Sequence, residues 1–289
     1  MKQLSRIRWD LDIRALSSIV HCEDRGHGKT GIAALFRRET IVSPDGEPIK
    51  VPVISGNSFR GILRRIGEEL TANALGYEQS LPLPAAHLLA NGGRLAKAAS
   101  ELTDEREREL KELLPHVAIF GGNASARVMS GLLYVDKVLP VSAELLHILR
   151  RPPQHAPKLA RTVEFYSHMA DYRVDLAHPR QCDTDTDNTD GTSPLAKYGI
   201  ETLPAGTRLQ GTVEITYATD LQAAFLTDIM NHWAAYGHLG GRTAAGHGRI
   251  AADITVTAVS GQLPGPDVDW ARHLSRKRRP IIKALQDLA

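Results

Sequence analysis

Between Leu209 and Ala258 the hydrophobic period changes twice, and this pattern confines the chain to a layered α+β architecture. Leu209, Gly211, Val213, Ile215 and Tyr217 alternate as one face of a strand. Asp220 then caps a helix with the apolar stripe Leu221, Phe225, Ile229 and Trp233, and Gly237 stands where that helix should stop. A glycine-rich loop follows, and Ile250, Ala252, Ile254, Val256 and Ala258 return to period two. Each of these elements has one apolar face, so each must be buried against another.

The first half of the chain repeats the theme. Ile7, Trp9, Leu11 and Ile13 alternate as a strand, a charged loop spans His21 to Gly31, and Ala33 to Val42 reads as extended. Ser43 to Pro48 is a turn signal built on Asp-Gly. A helix is predicted to start at Asn57 or Ser58, with Phe59, Leu63, Ile66 and Leu70 on its apolar side. Thr103 caps a second helix whose acids crowd the first turn, where the dipole favours them, and Pro115 ends it. Met129 to Val138 reads as a strand and Ser142 to Arg151 as a short helix. The chain from Asp267 is basic and predicted helical until Pro280 interrupts it.

Without its loops the order is strand, helix, strand, strand, helix, strand, the ferredoxin-like (RRM-like) βαββαβ arrangement. The expectation is one α+β domain over residues 1–289. It carries a helical insertion at 82–115, an irregular insertion at 150–205 that includes the acidic loop 182–191, and a basic tail at 260–289.

With 42% hydrophobic and 24% charged residues in 289, wholesale disorder is excluded, and the longest apolar runs are too short to span a bilayer. MKQLSRIRWD has no signal-peptide core, and Cys22 and Cys182 are too few for a disulfide framework or a four-thiolate zinc site. The expected compartment is the cytoplasm, with no membrane partner. The net charge of +2 hides an asymmetry. Residues 1–70 carry 12 Lys/Arg against 9 Asp/Glu, residues 240–289 carry 8 against 4, and Cys182 to Gly191 holds four aspartates and no base. Either the two basic ends build a polyanion-binding surface, or the surface is an ordinary mixture.

Three loops have the chemistry to hold phosphate. Ser55 to Arg65, SGNSFRGILRR, joins a glycine to a polar cap and a new helix whose unpaired N–H groups attract anions. Arg60 and Arg64, four apart, share one helix face; the alternative is a solvated basic face behind an ordinary cap. Gly240 to Arg249, GGRTAAGHGR, offers backbone amides with Arg242 and Arg249, yet no Gly-Lys-Ser/Thr follows, so it is not a P-loop. Phe120 to Arg127, FGGNASAR, is a weaker third. No metal site is expected. His178 and Cys182 have no second ligand pair, and the run from Asp183 through Asp185 and Asp187 breaks the calcium-loop pattern at Asn188 and Pro194. The twelve histidines show no Ser-His-Asp or Cys-His order.

These loops, in this order, resemble the RAMP superfamily of CRISPR-associated proteins, and most closely its Cas-seven-type backbone subunits of type III and type IV systems. The resemblance is carried by VPVISGNSFRGILRR (51–65), IFGGNASARVMSGLLYVDKV (119–138), YGIETLPAGTRL (198–209) and HLGGRTAAGHGRI (238–250). It implies a subunit that polymerises along guide RNA (crRNA), holds the RNA backbone without reading sequence, and presents bases to a target nucleic acid. The partners implied are the guide RNA, the target strand, copies of this chain stacked head to tail, and other effector subunits; no cofactor is implied. Asn57, Ser58, Arg60 and Arg64 would grip phosphates at the first helix. Gly240, Gly241, Arg242, His247 and Arg249 would line the same groove, extended by His27, Lys29, Arg37, Arg38 and Arg127. The 150–205 insertion would be the family's thumb, with Phe165, Tyr166, His168 and Met169 as a tip that wedges between bases, or else as a small satellite core.

The type III relatives cut target RNA with an aspartate ahead of the glycine-serine segment. Here that stretch reads AALFRRETIV, with Glu39 and Asp45 the nearest acids, so no catalytic residue is expected. The competing enzyme reading is a metal-independent RAMP endoribonuclease that processes precursor guide RNA, with His21, His27, Lys29 and His247 as acid–base candidates. A third reading is an interaction module whose basic ends meet an acidic protein.

Overall fold

The computed structural model of the protein describes residues 4–22, 33–77, 80–93, 102–125, 127–169 and 195–288. Its strands are β1 (Ser5–Ala15), β2 (Ala33–Ala34), β3 (Arg38–Val42), β4 (Pro48–Pro52), β5 (Gly122–Ala124), β6 (Arg127–Met129), β7 (Leu133–Val135), β8 (Leu139–Pro140), β9 (Thr162–Met169), β10 (Leu195–Thr202), β11 (Arg208–Ala218) and β12 (Ile250–Ser260). Its helices are α1 (Gly56–Leu75), α2 (Leu83–Asn91), α3 (Asp104–Leu113), α4 (Pro115–Phe120), α5 (Asp220–Tyr236), α6 (Trp270–Arg276) and α7 (Arg278–Gln286). The result is a mixed α+β fold with several sheets. No helix among the described residues is long and apolar enough to cross a membrane.

The main sheet runs β12-β1-β11-β7, with β8 also paired to β11, and every pairing in it is antiparallel. β1 is therefore hydrogen-bonded along both edges. Ile7, Trp9, Leu11 and Ile13 stand opposite Ile215, Val213, Gly211 and Leu209 on one side and Ala258, Val256, Ile254 and Ala252 on the other. The face they share is covered by Phe59 and Leu63 of α1 and by Phe225, Ile229 and Trp233 of α5, all fully buried. The Phe59 and Trp233 rings lie 4.7 Å apart. Burial of each such side chain stabilises the fold by about 1.5–3 kcal/mol. The opposite face is charged and internally paired: Arg6 with Glu214 at 2.6 Å, Arg8 with Asp10 at 3.2 Å, and Arg151 with Asp12 at 3.2 Å.

Several local expectations are corrected. Ser55, not Asn57 or Ser58, caps α1, and its hydroxyl accepts from the Ser58 N–H. Thr219, not Asp220, caps α5, through a capping box with Gln222. Tyr217 leaves the apolar face: its φ of +55° turns it outward, and Ala218 takes the buried place. The single strand expected over 129–138 is interrupted: β6 ends at Met129 and pairs with β5, β7 covers only Leu133–Val135 and joins β11, and Val138 makes an isolated bridge to Ile54. The helix expected at 142–151 is one 3₁₀ turn, Ala143–Leu145. Leu145 and Leu149 pack on Val51, Val53 and Val141, but Pro152 and Pro153 lie ahead and disfavour further helix.

The 150–205 insertion is more regular than its six prolines suggested: β9 and β10 pair antiparallel from Thr162↔Thr202 to Met169↔Leu195. The acidic loop 182–191 lies outside the described residues. Pro115 ends α3 but also opens α4, and Pro280 sits in the first turn of α7, where its missing N–H costs no hydrogen bond. The break in the tail is at Lys277, and Trp270, Leu274, Ile281 and Leu285 join the main core.

His116 on α4 is fully buried, and its Nε2–H donates to the Leu89 carbonyl at 3.0 Å. Burial, and then the Arg64 charge, push its pKa down to about 3. The folded state thus holds a neutral ring, whereas an unfolded histidine titrates at about 6.5. The stability it contributes is complete above about pH 6.5 and is lost as pH falls toward 3, at up to about 1.4 kcal/mol per pH unit. Urea unfolding at pH 7.5 and 5.0 is expected to show wild type losing about 2 kcal/mol more than His116→Gln. Equal losses would contradict this.

Candidate nucleic-acid interface

The glycine-rich loop is fixed by the chain that leaves β1. Leu16 and Ser17 donate to the Arg249 carbonyl at 2.7 and 3.1 Å. The Gly248 N–H donates to the Ser18 carbonyl, and the Gly241 N–H to the Val20 carbonyl, both at 2.8 Å. Two glycines make that approach possible. Gly240 has φ +88°, and a Cβ there would stand 2.4 Å from the Val20 oxygen. Gly248 has φ +78°, and a Cβ would stand 2.3 Å from the Leu239 oxygen. The loop is therefore a rigid ledge rather than a slack connection. Its tip, Gly241 through Gly246, is exposed, as are Arg242 and Arg249. His247 belongs to the interior: it is 3% exposed and its Nδ1 lies 2.9 Å from the Ser18 hydroxyl.

The first-helix arginines, expected at phosphates, are hydrogen-bonded to carbonyls within the fold. Arg60 donates to the carbonyls of Leu133 at 3.0 Å and Phe120 at 2.6 Å. Arg64 is buried and donates to Leu88 at 3.2 Å, Gly121 at 3.0 Å and Phe120 at 2.9 Å. Together they satisfy the carbonyl end of α4, whose dipole favours cations. Desolvation lowers both pKa values, Arg64's to about 10 with Arg60's charge contributing, so both stay cationic at neutral pH. Their spacing was read correctly as one face, but that face points inward.

The other candidates are dispersed. Asn57 is exposed beside the Ser55 cap. The Ser58 N–H is spent on Ser55 Oγ at 3.1 Å. Arg38 and Arg161 both bind the buried Glu201, whose other oxygen accepts the Phe36 N–H at 2.9 Å. Arg37 is tied through its backbone, donating to the His21 carbonyl at 2.7 Å and accepting from Val53 at 3.0 Å. Arg127 faces α3, with Asp104 and Glu107 each at 2.6 Å. His27 and Lys29 lie outside the described residues. Phe165 on β9 is 73% exposed, and the backbones of Tyr166, His168 and Met169 continue the same strand opposite Tyr198, Ala196 and Leu195.

Of the acid–base candidates, His21 and His247 lie within the described residues, and each is hydrogen-bonded inside the fold. His21 Nε2 accepts the Ser55 N–H at 3.1 Å, and His247 is held by Ser18 as described. Glu39 pairs with Lys137 at 2.5 Å. Among the described residues, no group of three or more His, Cys, Asp or Glu is placed to hold a metal ion.

One cleft was not anticipated. Beside the glycine-rich loop a cavity of about 690 Å³ opens between α1 and α5, lined by Arg65, Asn73, His232, Tyr236, His238 and Thr243 among others. Arg65 follows Arg64 in sequence but falls on the stripe 62, 65, 66, 69, 73, which α1 turns toward the loop. That stripe was readable from the helix periodicity.

Arg64→Ala is expected to cost about 3 kcal/mol of stability, because it strands buried carbonyls, and Arg242→Ala less than about 0.5 kcal/mol. Guanidinium unfolding checks this; similar losses for both would contradict the structural task assigned to Arg64.

A family model described as "RAMP superfamily" matches residues 19–251. A solved chain recorded as "Type IV-B CRISPR Complex" is 47% identical, covering 93% of this chain and 99% of that one, with a TM-score of 0.64. No curated protein matches. A family match across most of the chain, joined to near-half identity with a solved structure along its length, makes this chain a member of the RAMP superfamily.

Proposed function

We propose that this protein is a backbone subunit of a type IV-like CRISPR effector complex that polymerises head to tail along guide RNA. The observation that carries the reading is the exposed, backbone-anchored loop bearing Arg242 and Arg249, in a chain 47% identical to one from a Type IV-B CRISPR complex. The strand order β12-β1-β11-β7, translated into core strands, is 4-1-3-2, and this supports a ferredoxin-like βαββαβ core.

In this reading Arg242 and Arg249 neutralise phosphates, and the exposed amides of the loop tip supply backbone donors. Gly240 and Gly241 keep the chain low enough for a strand to pass, and Asn57 and Ser58 meet the strand at the start of α1. Contacts of this kind position RNA without selecting sequence, and base pairing with a target does the selecting. The β9–β10 hairpin, with Phe165 exposed, serves as the thumb. Head-to-tail copies form a heterologous, open assembly, so the RNA or capping subunits set its length. Arg37 and Arg38 occupy the stretch where slicing relatives carry an acid, and the described histidines of the nuclease reading are bound within the fold. Both features favour a non-catalytic subunit.

Fluorescence anisotropy with two single-stranded RNAs of unrelated sequence is expected to give affinities within about twofold of each other and a steep loss with salt. Arg242→Glu with Arg249→Glu should weaken both equally and reduce the log–log salt slope by about 2. An unchanged slope in a folded double variant would contradict the proposal. Target RNA paired to the bound guide should also remain uncut in Mg²⁺ on a denaturing gel; specific cleavage would reverse the non-catalytic assignment.

A further inference from the structure

We infer that the cleft between α1, α5 and the glycine-rich loop is a pocket for one unpaired nucleotide of the bound strand, with Tyr236 as its stacking platform and Arg65 as its phosphate ligand. This rests on the RNA-binding reading above and adds a site to it.

Three independent features point to that occupant. First, the volume of about 690 Å³ is suited to a small-molecule-sized group, and a flat surface would offer none. Second, Tyr236 ends α5 and is 58% exposed. It is braced by His238, whose ring centroid lies 4.6 Å away and whose Nδ1–H donates to the Tyr236 carbonyl at 2.7 Å. That bond leaves Nε2 as the acceptor of the imidazole. An exposed, braced aromatic ring is what a base stacks on, whichever base it is. Third, the polar lining suits a nucleotide. Arg65 is exposed, and among the described residues no carboxylate pairs with it. Asn73 and Glu69 offer an amide and an acceptor to a base edge, and Glu69 keeps the site from being a general polyanion trap. Gly240, Gly241 and Thr243 belong both to the cleft wall and to the loop proposed to track the backbone, so a strand on the loop can drop one base into the cleft without leaving its path.

The test is RNA binding by Tyr236→Ala, Tyr236→Trp and Arg242→Glu in the full chain, with ultraviolet cross-linking of a 4-thiouridine RNA mapped by mass spectrometry. Tyr236→Ala is expected to weaken binding at least about fivefold, Tyr236→Trp to retain it, and the cross-link to map to Tyr236 or its flanking peptide. Circular dichroism confirms that the variants are folded. If Tyr236→Ala binds like wild type while Arg242→Glu is weakened, the pocket is refuted and the loop reading stands. If wild type binds no single-stranded RNA, both fall together.

Discussion

The structure depends on β1 being paired along both edges. Its apolar face anchors α1 and α5, and its continuation through Val20 pins the glycine-rich loop by backbone hydrogen bonds. Sheet, helices and candidate interface therefore share one strand. A loop held by main-chain bonds, with glycines where a Cβ would strike a carbonyl, keeps its amides in place before any ligand arrives. Such preorganisation reduces the ordering cost of binding.

Charge in this protein is divided between structure and surface. Arg60 and Arg64 face inward to cap α4, and Arg38, Arg161 and Arg127 are committed to carboxylates. Arg65, Arg242 and Arg249 stay exposed around one edge of α1 and the loop. Adjacent residues on a helix point about a quarter-turn apart, so Arg64 and Arg65 serve opposite ends of this division. A net charge of +2 says nothing of this division, because it sums all 35 Lys and Arg against 33 Asp and Glu wherever they stand.

The period-two and period-3.6 segments were legible because their apolar faces are buried, in β12 only in part. β1, β11, β12, α1 and α5 lie where the alternation and stripes put them, and the turn at Asp45-Gly46 and the Thr103 cap also follow from residue chemistry. Legibility failed where tertiary packing overrode local pattern. One apolar run is split between two short strands on either side of Gly131, and Tyr217 is flipped outward by a positive φ. Prolines hid the regular pairing of Thr162–Met169 with Leu195–Thr202. At the candidate site, the exposure of the loop tip with Arg242 and of Arg249 agrees with the glycine-rich context. The inward turn of Arg64 and the burial of His247 were not legible, since spacing tells which residues share a helix face but not which way the face looks. The cleft at Tyr236 combines residues about 170 positions apart, which only the packing of α1 on α5 brings together.

The most direct test of the central claim is the particle size and absorbance ratio of the purified protein, before and after ribonuclease treatment. A polymerising RNA-binding subunit predicts long assemblies that carry nucleic acid and disperse on digestion. A nucleic-acid-free monomer that stays monomeric when single-stranded RNA is supplied would contradict it.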